Sequence, residues 1–315
     1  MRKLASTRLT LLGMALFGAA VLLTYRDQEA SPWWMAVPLA LLAANLFAAV
    51  ATDPRINRRG GLLVFHLALL ALILLAGVGR LTHFSGRVEI TEGSLFQPVG
   101  VETLRKGAWH PDRFDQVKFA QGPFTVQYQP GLKRAHTRSQ VFILDGAGGQ
   151  TPMVVGDQMA LVLAGYRFYT TSNKGFAPLL TWMPDAGVPV SGAIHMPSYP
   201  FLEWNQFTDW ATPDGEKVQL HLDVERPSDN EAAWTLDPKN IPATLVVKSA
   251  GGNAVLHPGE TVRLAHGVLR FDELRGWMGY QIFFDPTLPW LFWIALVGVA
   301  GLAHHAWRKF ARERG

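Results

Sequence analysis

The chain has 315 residues, 49% of them hydrophobic and only 17% charged, and it contains no cysteine. So little charge excludes a disordered, solvated chain, and the lack of Cys excludes a disulfide framework, a thiolate metal site, a CxxC redox motif and a cysteine nucleophile. The formal net charge is +4, and where the charges sit matters more than their sum.

The first element is residues 9–25 (LTLLGMALFGAAVLLTY), without a charge. Residues 33–51 (WWMAVPLALLAANLFAAVA) follow, again uncharged. Residues 61–79 (GLLVFHLALLALILLAGVG) contain one ionisable side chain, His66, and residues 288–307 (LPWLFWIALVGVAGLAHHAW) close the series. Each is long enough to cross a hydrocarbon layer of ~30 Å as a helix. Four such segments in one chain argue against buried helices of a soluble core. The basic start (Arg2, Lys3, Arg8) would suit a cleaved signal peptide. No small-x-small site precedes Tyr25-Arg26-Asp27, however, and a second span follows at once, so the first segment reads as a retained span.

Lys and Arg in the short flanks set the expected orientation. Arg2, Lys3 and Arg8 precede the first span, Arg55, Arg58 and Arg59 lie between the second and third, and Arg308, Lys309, Arg312 and Arg314 follow the fourth. Asp53 and Glu313 are the acids opposing them. The loop between spans one and two has only Arg26, beside Asp27 and Glu29. Both termini are therefore expected in the cytoplasm, and residues 84–287 outside. Trp33, Trp34, Trp290, Trp293 and Trp307 fall at span ends, as interfacial anchors do. Residues 84–287 hold 17 Lys and Arg against 21 Asp and Glu, so the basic balance is a topology signal and not a nucleic-acid footprint.

Between spans three and four, strand-like runs recur at 87–91, 124–128, 140–144, 160–170, 218–225, 243–248, 262–271 and 279–284. In VQLHLDVE the apolar residues Val218, Leu220, Leu222 and Val224 recur with period two. Turn material separates the runs, at 130–131 (PG), 146–149 (GAGG), 227–230 (PSDN), 251–253 (GGN) and 258–259 (PG). The expected fold is thus four transmembrane helices, three N-terminal and one C-terminal, flanking a mainly-β domain of sandwich or open-barrel type. Its divisions fall at 1–83, 84–287 and 288–315.

Little in this domain offers catalytic machinery. His83, His110, His136, His195, His221, His257 and His266 form no HExxH or HxH spacing. No GxGxxG follows a strand, no GK[ST] follows the glycines at 146–149, and there is no GxSxG. His66 is different. It lies five residues into span three, roughly 7–8 Å below the cytoplasmic boundary, where an ionisable group is costly and a candidate for function. A neutral imidazole bonded to a neighbouring helix is the plainer alternative. His304 and His305 end span four on the same side, and His304 lies at a similar depth. Interfacial snorkelling accounts for both, yet a neutral imidazole there could also ligate a haem iron.

The ordered motifs resemble the ResB (CcsB) membrane proteins of system II cytochrome c biogenesis. Residues 4–12 (LASTRLTLL) are similar to that family's opening and 31–45 (SPWWMAVPLALLAAN) to its second span. Phe65-His66 with the apolar run after it resembles its third span, and 86–93 (GRVEITEG) its G-x-V-x-L-x-E-G segment. Residues 140–144 and 165–172 (GYRFYTTS) resemble two of its strands, and 279–290 (GYQIFFDPTLPW) the approach to its last span. Two departures stand out. The chain is short for the family, and Asn45 is followed by LFAAV where the family often has Cys. The WGxxWxWD segment of the partner protein CcsA (ResC) is missing, which excludes a fusion of the two.

The resemblance implies a non-hydrolytic subunit in the bacterial inner membrane. With CcsA/ResC it would move haem outward and deliver it to the CxxCH motif of apocytochrome c. His66 corresponds to the family's intramembrane haem-iron ligand, and the second axial ligand would come from a histidine of the partner. Haem b would be transported cargo, the other partners being the lipid bilayer and apocytochrome c, with no nucleic acid. Two readings compete: a membrane b-type electron-transfer subunit using His66 and His304, and a haem-free scaffold or receptor with an outer β domain.

Overall fold

The computed structural model describes residues 3–27, 30–146, 148–225 and 231–313. Arg2, Glu29, Ala147, the turn at 227–230 and Arg314 lie outside the described residues, as do the side chains of Arg312 and Glu313.

The four apolar segments are long helices: α1 (Thr7–Arg26), α2 (Trp33–Thr52), α4 (Gly60–Thr82) and α5 (Leu288–Glu313). Between α2 and α4 lies one further turn, α3 (Pro54–Asn57). Asp53 caps it by accepting from Arg55 N at 2.8 Å, with Pro54 at its first position. Only 11% of the apolar window of α4 is buried. Leu12, Met14, Leu22, Phe47, Leu74, Phe292 and Val299 are exposed. Apolar surface on that scale is stable in lipid and not in water, so the four helices fit a membrane protein.

The chain forms two units. Met1–Gly86, Thr103–Asp112 and Phe283–Gly315 make the helical unit, and Arg87–Glu102 with Arg113–Ile282 make the β unit. In the helical unit α1 and α2 meet where a Cβ on Gly13 would lie 2.7 Å from Leu42 Cδ2. Asn45, 5% exposed within an apolar helix, donates from Nδ2 to the carbonyls of Leu4 and Ser6, at 2.6 and 3.1 Å. Its Oδ1 accepts from Thr10 Oγ1 at 2.7 Å. The buried amide is thereby satisfied, as a low-dielectric setting requires. Helices α4 and α5 approach through small residues. A Cβ on Gly61 would sit 2.7 Å from Gly301 O, one on Gly301 2.8 Å from Val64 Cγ1, and one on Gly298 3.1 Å from Ala68 Cβ.

Carbonyls at the C-terminal end of α4 find partners in a later segment. Segment Thr103–Asp112 returns to them: Trp109 N donates to Leu81 O (2.7 Å), Gly107 N to His83 O (2.7 Å) and His110 Nδ1–H to Thr82 O (3.0 Å). Gly107 is required for this approach, since a Cβ there would lie 2.1 Å from Leu81 O.

The strands, in chain order, are β1 (Phe84–Thr91), β2 (Glu102–Lys106), β3 (Phe119–Gln129), β4 (Lys133–Leu144), β5 (Gln150–Gly156), β6 (Leu161–Leu163), β7 (Tyr166–Pro184) and β8 (Val190–Ala193). Then come β9 (Phe207–Ala211), β10 (Lys217–Val224), β11 (Trp234–Leu236), β12 (Ala243–Ser249), β13 (Gly252–Leu256), β14 (Thr261–Leu264) and β15 (Gly267–Phe284). In the β unit β1, β15, β7 and β6 lie side by side in that order, with β14 beside β15 and β8 beside β7. Two four-stranded sheets, β13-β12-β10-β9 and β11-β3-β4-β5, complete it, and no sheet closes on itself. The alternation in β10 has the expected outcome: Val218, Leu220, Leu222 and Val224 are buried, while the intervening residues are not.

The core is aromatic, with Phe96, Phe119 and Phe168 packed at ring separations of 5.3–5.5 Å. One polar knot runs through it. Tyr280 donates to Gln121 Oε1 (2.7 Å), Gln121 Nε2 donates to Ser139 Oγ (2.8 Å), and Ser139 Oγ pairs with Tyr280 Oη at 2.7 Å. Burial raises the Tyr280 hydroxyl far above its ordinary range, so it remains a proton donor.

Candidate functional site

His66 stands on α4 in an otherwise apolar stretch and is half-buried, its ring edge-on to Phe65 at 5.3 Å. Its Nδ1 lies 2.8 Å from Leu62 O, one helical turn back. A carbonyl only accepts, so Nδ1 carries the proton. In the neutral tautomer with that proton the lone pair is on Nε2, for which there is no hydrogen-bond partner among the described residues. An imidazole held by one nitrogen with the other free is the arrangement metal-ligating histidines adopt.

The helical period fixes which face of α4 carries His66. At about 100° per residue, His66 lies within about 20° of Ile73 and Gly77, which line the groove between α2 and α4. It lies between about 140° and about 160° from Gly61, Val64 and Ala68, the stripe that packs on α5. His304 and His305 belong elsewhere. They border a cavity of about 350 Å³ with Arg58, Arg59, Arg308 and Lys309, at the start of α4 and the end of α5. His66 does not line that cavity. The two sequence candidates, His66 and His304, are therefore not brought to one pocket.

A cleft of about 610 Å³ in the β unit is polar. In it Glu89 accepts from Asn173 Nδ2 at 2.6 Å and from His195 Nδ1 at 3.2 Å. His195 Nε2 meets Thr91 Oγ1 at 2.7 Å, and the ring stacks on Trp277 at 5.1 Å. The His195 hydrogen bond is the main cause holding the Glu89 carboxyl below its ordinary range. Both nitrogens of His195 are engaged, so this imidazole has no lone pair for a metal. No group of three or more His, Asp or Glu residues suited to a metal ion occurs among the described residues. Lys174, 1% exposed, donates to Ser172 O (3.1 Å) and lies 5.6 Å from the Tyr128 ring centroid. Burial lowers its pKa to about 8.

No local pattern announces the Glu89–His195 pair, whose members are 106 residues apart, or Lys174 as a buried amine. Alternation places Arg87 and Glu89 on one face of β1, but nothing local places His195 beside them.

Four long apolar helices, three before and one after a mainly-β domain in the chain, define a class: a multi-span membrane-type protein with one anchored imidazole in an apolar helix. The model of the ResB-like family matches residues 48–183, consistent with a ResB/CcsB-like protein, and at family level the match suggests cytochrome c biogenesis. The match takes in His66, 86–93 and 165–172. The segments 4–12, 31–45 and 279–290 fall outside it. No curated protein matches the chain.

Proposed function

We propose that this chain is the ResB-like half of a membrane complex that moves haem outward and delivers it to CxxCH apocytochrome c, with a CcsA/ResC-type protein as the other half. The observation that carries the reading is His66. Its Nδ1–H is spent on Leu62 O, its Nε2 is free, and it faces away from the α5 stripe. Haem is the cargo. The imidazole offers one axial nitrogen to the iron, the apolar walls of α2 and α4 suit a porphyrin face, and the second ligand comes from the partner. This proposal puts both termini in the cytoplasm of a bacterium and the β domain on the far side of the inner membrane.

Against an intrachain b-type centre stands the position of His304, which lies on α5 and borders a cavity with Gly61 of α4 that His66 does not line. No single observation favours a haem-free scaffold.

The test is His66→Ala in the co-purified complex. Haem occupancy and cytochrome c maturation should fall by at least about tenfold, because no apolar residue replaces a nitrogen ligand. Membrane insertion should be unchanged, and added imidazole should restore part of both losses. His304→Ala should have little effect; a loss as severe as that of His66→Ala would place both ligands in this chain. Normal haem content and maturation in His66→Ala would falsify the ligand assignment.

A further inference from the structure

The end of α4 opposite His66 carries an arrangement unrelated to iron ligation. A cavity of about 120 Å³ is lined there by Arg80, His83, Arg105 and Lys106, with Pro32 and Gly107. Lys106 is paired with Asp112 at 2.6 Å. Arg105 donates from Nη2 to Thr24 O at 3.1 Å. Arg80 has a buried Nε without a hydrogen-bond partner, and no ion pair, among the described residues. His83 adds no charge, since burial and then Arg80 lower its pKa to about 4. Asp285, which also acts on His83, has Oδ1 occupied by Thr287 N (2.9 Å) and Thr287 Oγ1 (2.6 Å), and it does not line the cavity.

Three ordinary explanations for Arg80 fail. It does not cap α4, because Trp109, Gly107 and His110 already occupy the carbonyls of Leu81, His83 and Thr82. Snorkelling accounts for the two terminal nitrogens, which are not among the buried unpaired atoms, but leaves the buried Nε unsatisfied. Water alone supplies no counter-charge to two guanidinium groups around one cavity. A volume of about 120 Å³ equals about four waters at ~30 Å³ each and lies below the ~300 Å³ at which cofactor-sized pockets begin.

We propose that this cavity is an oxyanion site, taking one carboxylate or phosphate group between Arg80 and Arg105. Guanidinium forks match the two oxygens of such a group. Two membrane-borne molecules present that chemistry: haem, through a propionate, and an anionic phospholipid, through its phosphate. The haem source rests on the function proposed above. The lipid source does not.

The experiment uses the full chain in nanodiscs. Wild type, Arg80→Gln/Arg105→Gln, Arg80→Lys and, as control, Lys106→Gln are compared with two probes. The first is phosphatidylglycerol retained after delipidation, counted by native mass spectrometry. The second is haem, titrated beside haem whose propionates are esterified. The double variant should lose about tenfold in one arm, with Lys106→Gln near wild type and Arg80→Lys between them. A loss of lipid alone identifies phosphate. A loss of haem binding that esterification reproduces in the wild type identifies a propionate. If the double variant does not fold, Arg105→Gln, which leaves Arg80 in place, makes the same comparison. Equal binding of both probes by wild type and variant overturns the site. The lipid arm does not involve iron, so it stands or falls separately from the His66→Ala result.

Discussion

His83 shows how one residue couples the end of a helix to pH. Burial, then the charge of Arg80, depresses its pKa from 6.5 to about 4; Arg105 and His110 act the same way and Asp285 opposes them. Between those values the unfolded chain binds a proton that the folded chain refuses. Stability is therefore lost as pH falls through that window, and no further loss comes from this group below it. Unfolding in detergent, followed from about pH 7 to about pH 4, should be less pH-dependent in His83→Gln than in wild type; equal slopes would mean that His83 is charged in the folded protein. His66 was legible because one imidazole in an uncharged run stands out. Its anchoring to Leu62 O was not, because a rotamer choice is settled by packing. Arg80 is not legible as a helix residue because hydropathy ends span three at Gly79, whereas the helix continues to Thr82. Its companion Arg105 comes from a returning segment that no local pattern connects to α4.

Strands were readable where one face is buried and the other is not, as in β10. They were not where both faces are covered. The second half of β7 is buried at nearly every position from Lys174 to Trp182, so period two disappears. Short pieces such as β6, β8 and β11 are too brief to show a pattern. Among the helices, the small-residue contact between α4 and α5 gives the sharpest expectation. In Gly61→Leu the new side chain must enter space held by Gly301 O and His305 N, an overpacking that costs about 1–3 kcal/mol. The chain has no Cys, so Ala68→Cys with Gly298→Cys provides a clean reporter. That pair should cross-link on oxidation in membranes, and the yield should drop several-fold when Gly61→Leu is added. An unchanged yield would show that the helices meet elsewhere.

For the whole molecule, the central expectation is orientation. Positive charge gathers before α1, around α3 and at the end of α5, while the β domain is mildly acidic. Reporters fused after Asn57 and after the C-terminus should register cytoplasm, and one inserted at Gly148 the opposite side. An outward C-terminus would refute the four-span arrangement.

The helical unit is assembled from three stretches far apart in the chain, and this has a consequence for synthesis. When α4 leaves the ribosome, neither Gly107 nor α5 exists. The carbonyls at its end and the glycine stripe on its side must wait, the first for about two dozen residues and the second until more than two hundred have been made. During that interval the β domain is translated and takes up its strands while α4 has only α1 and α2 beside it. The last helix then has to find a partner laid down long before it. Ribosomes stalled before residue 288 should therefore hold a half-finished bundle that is open on one flank.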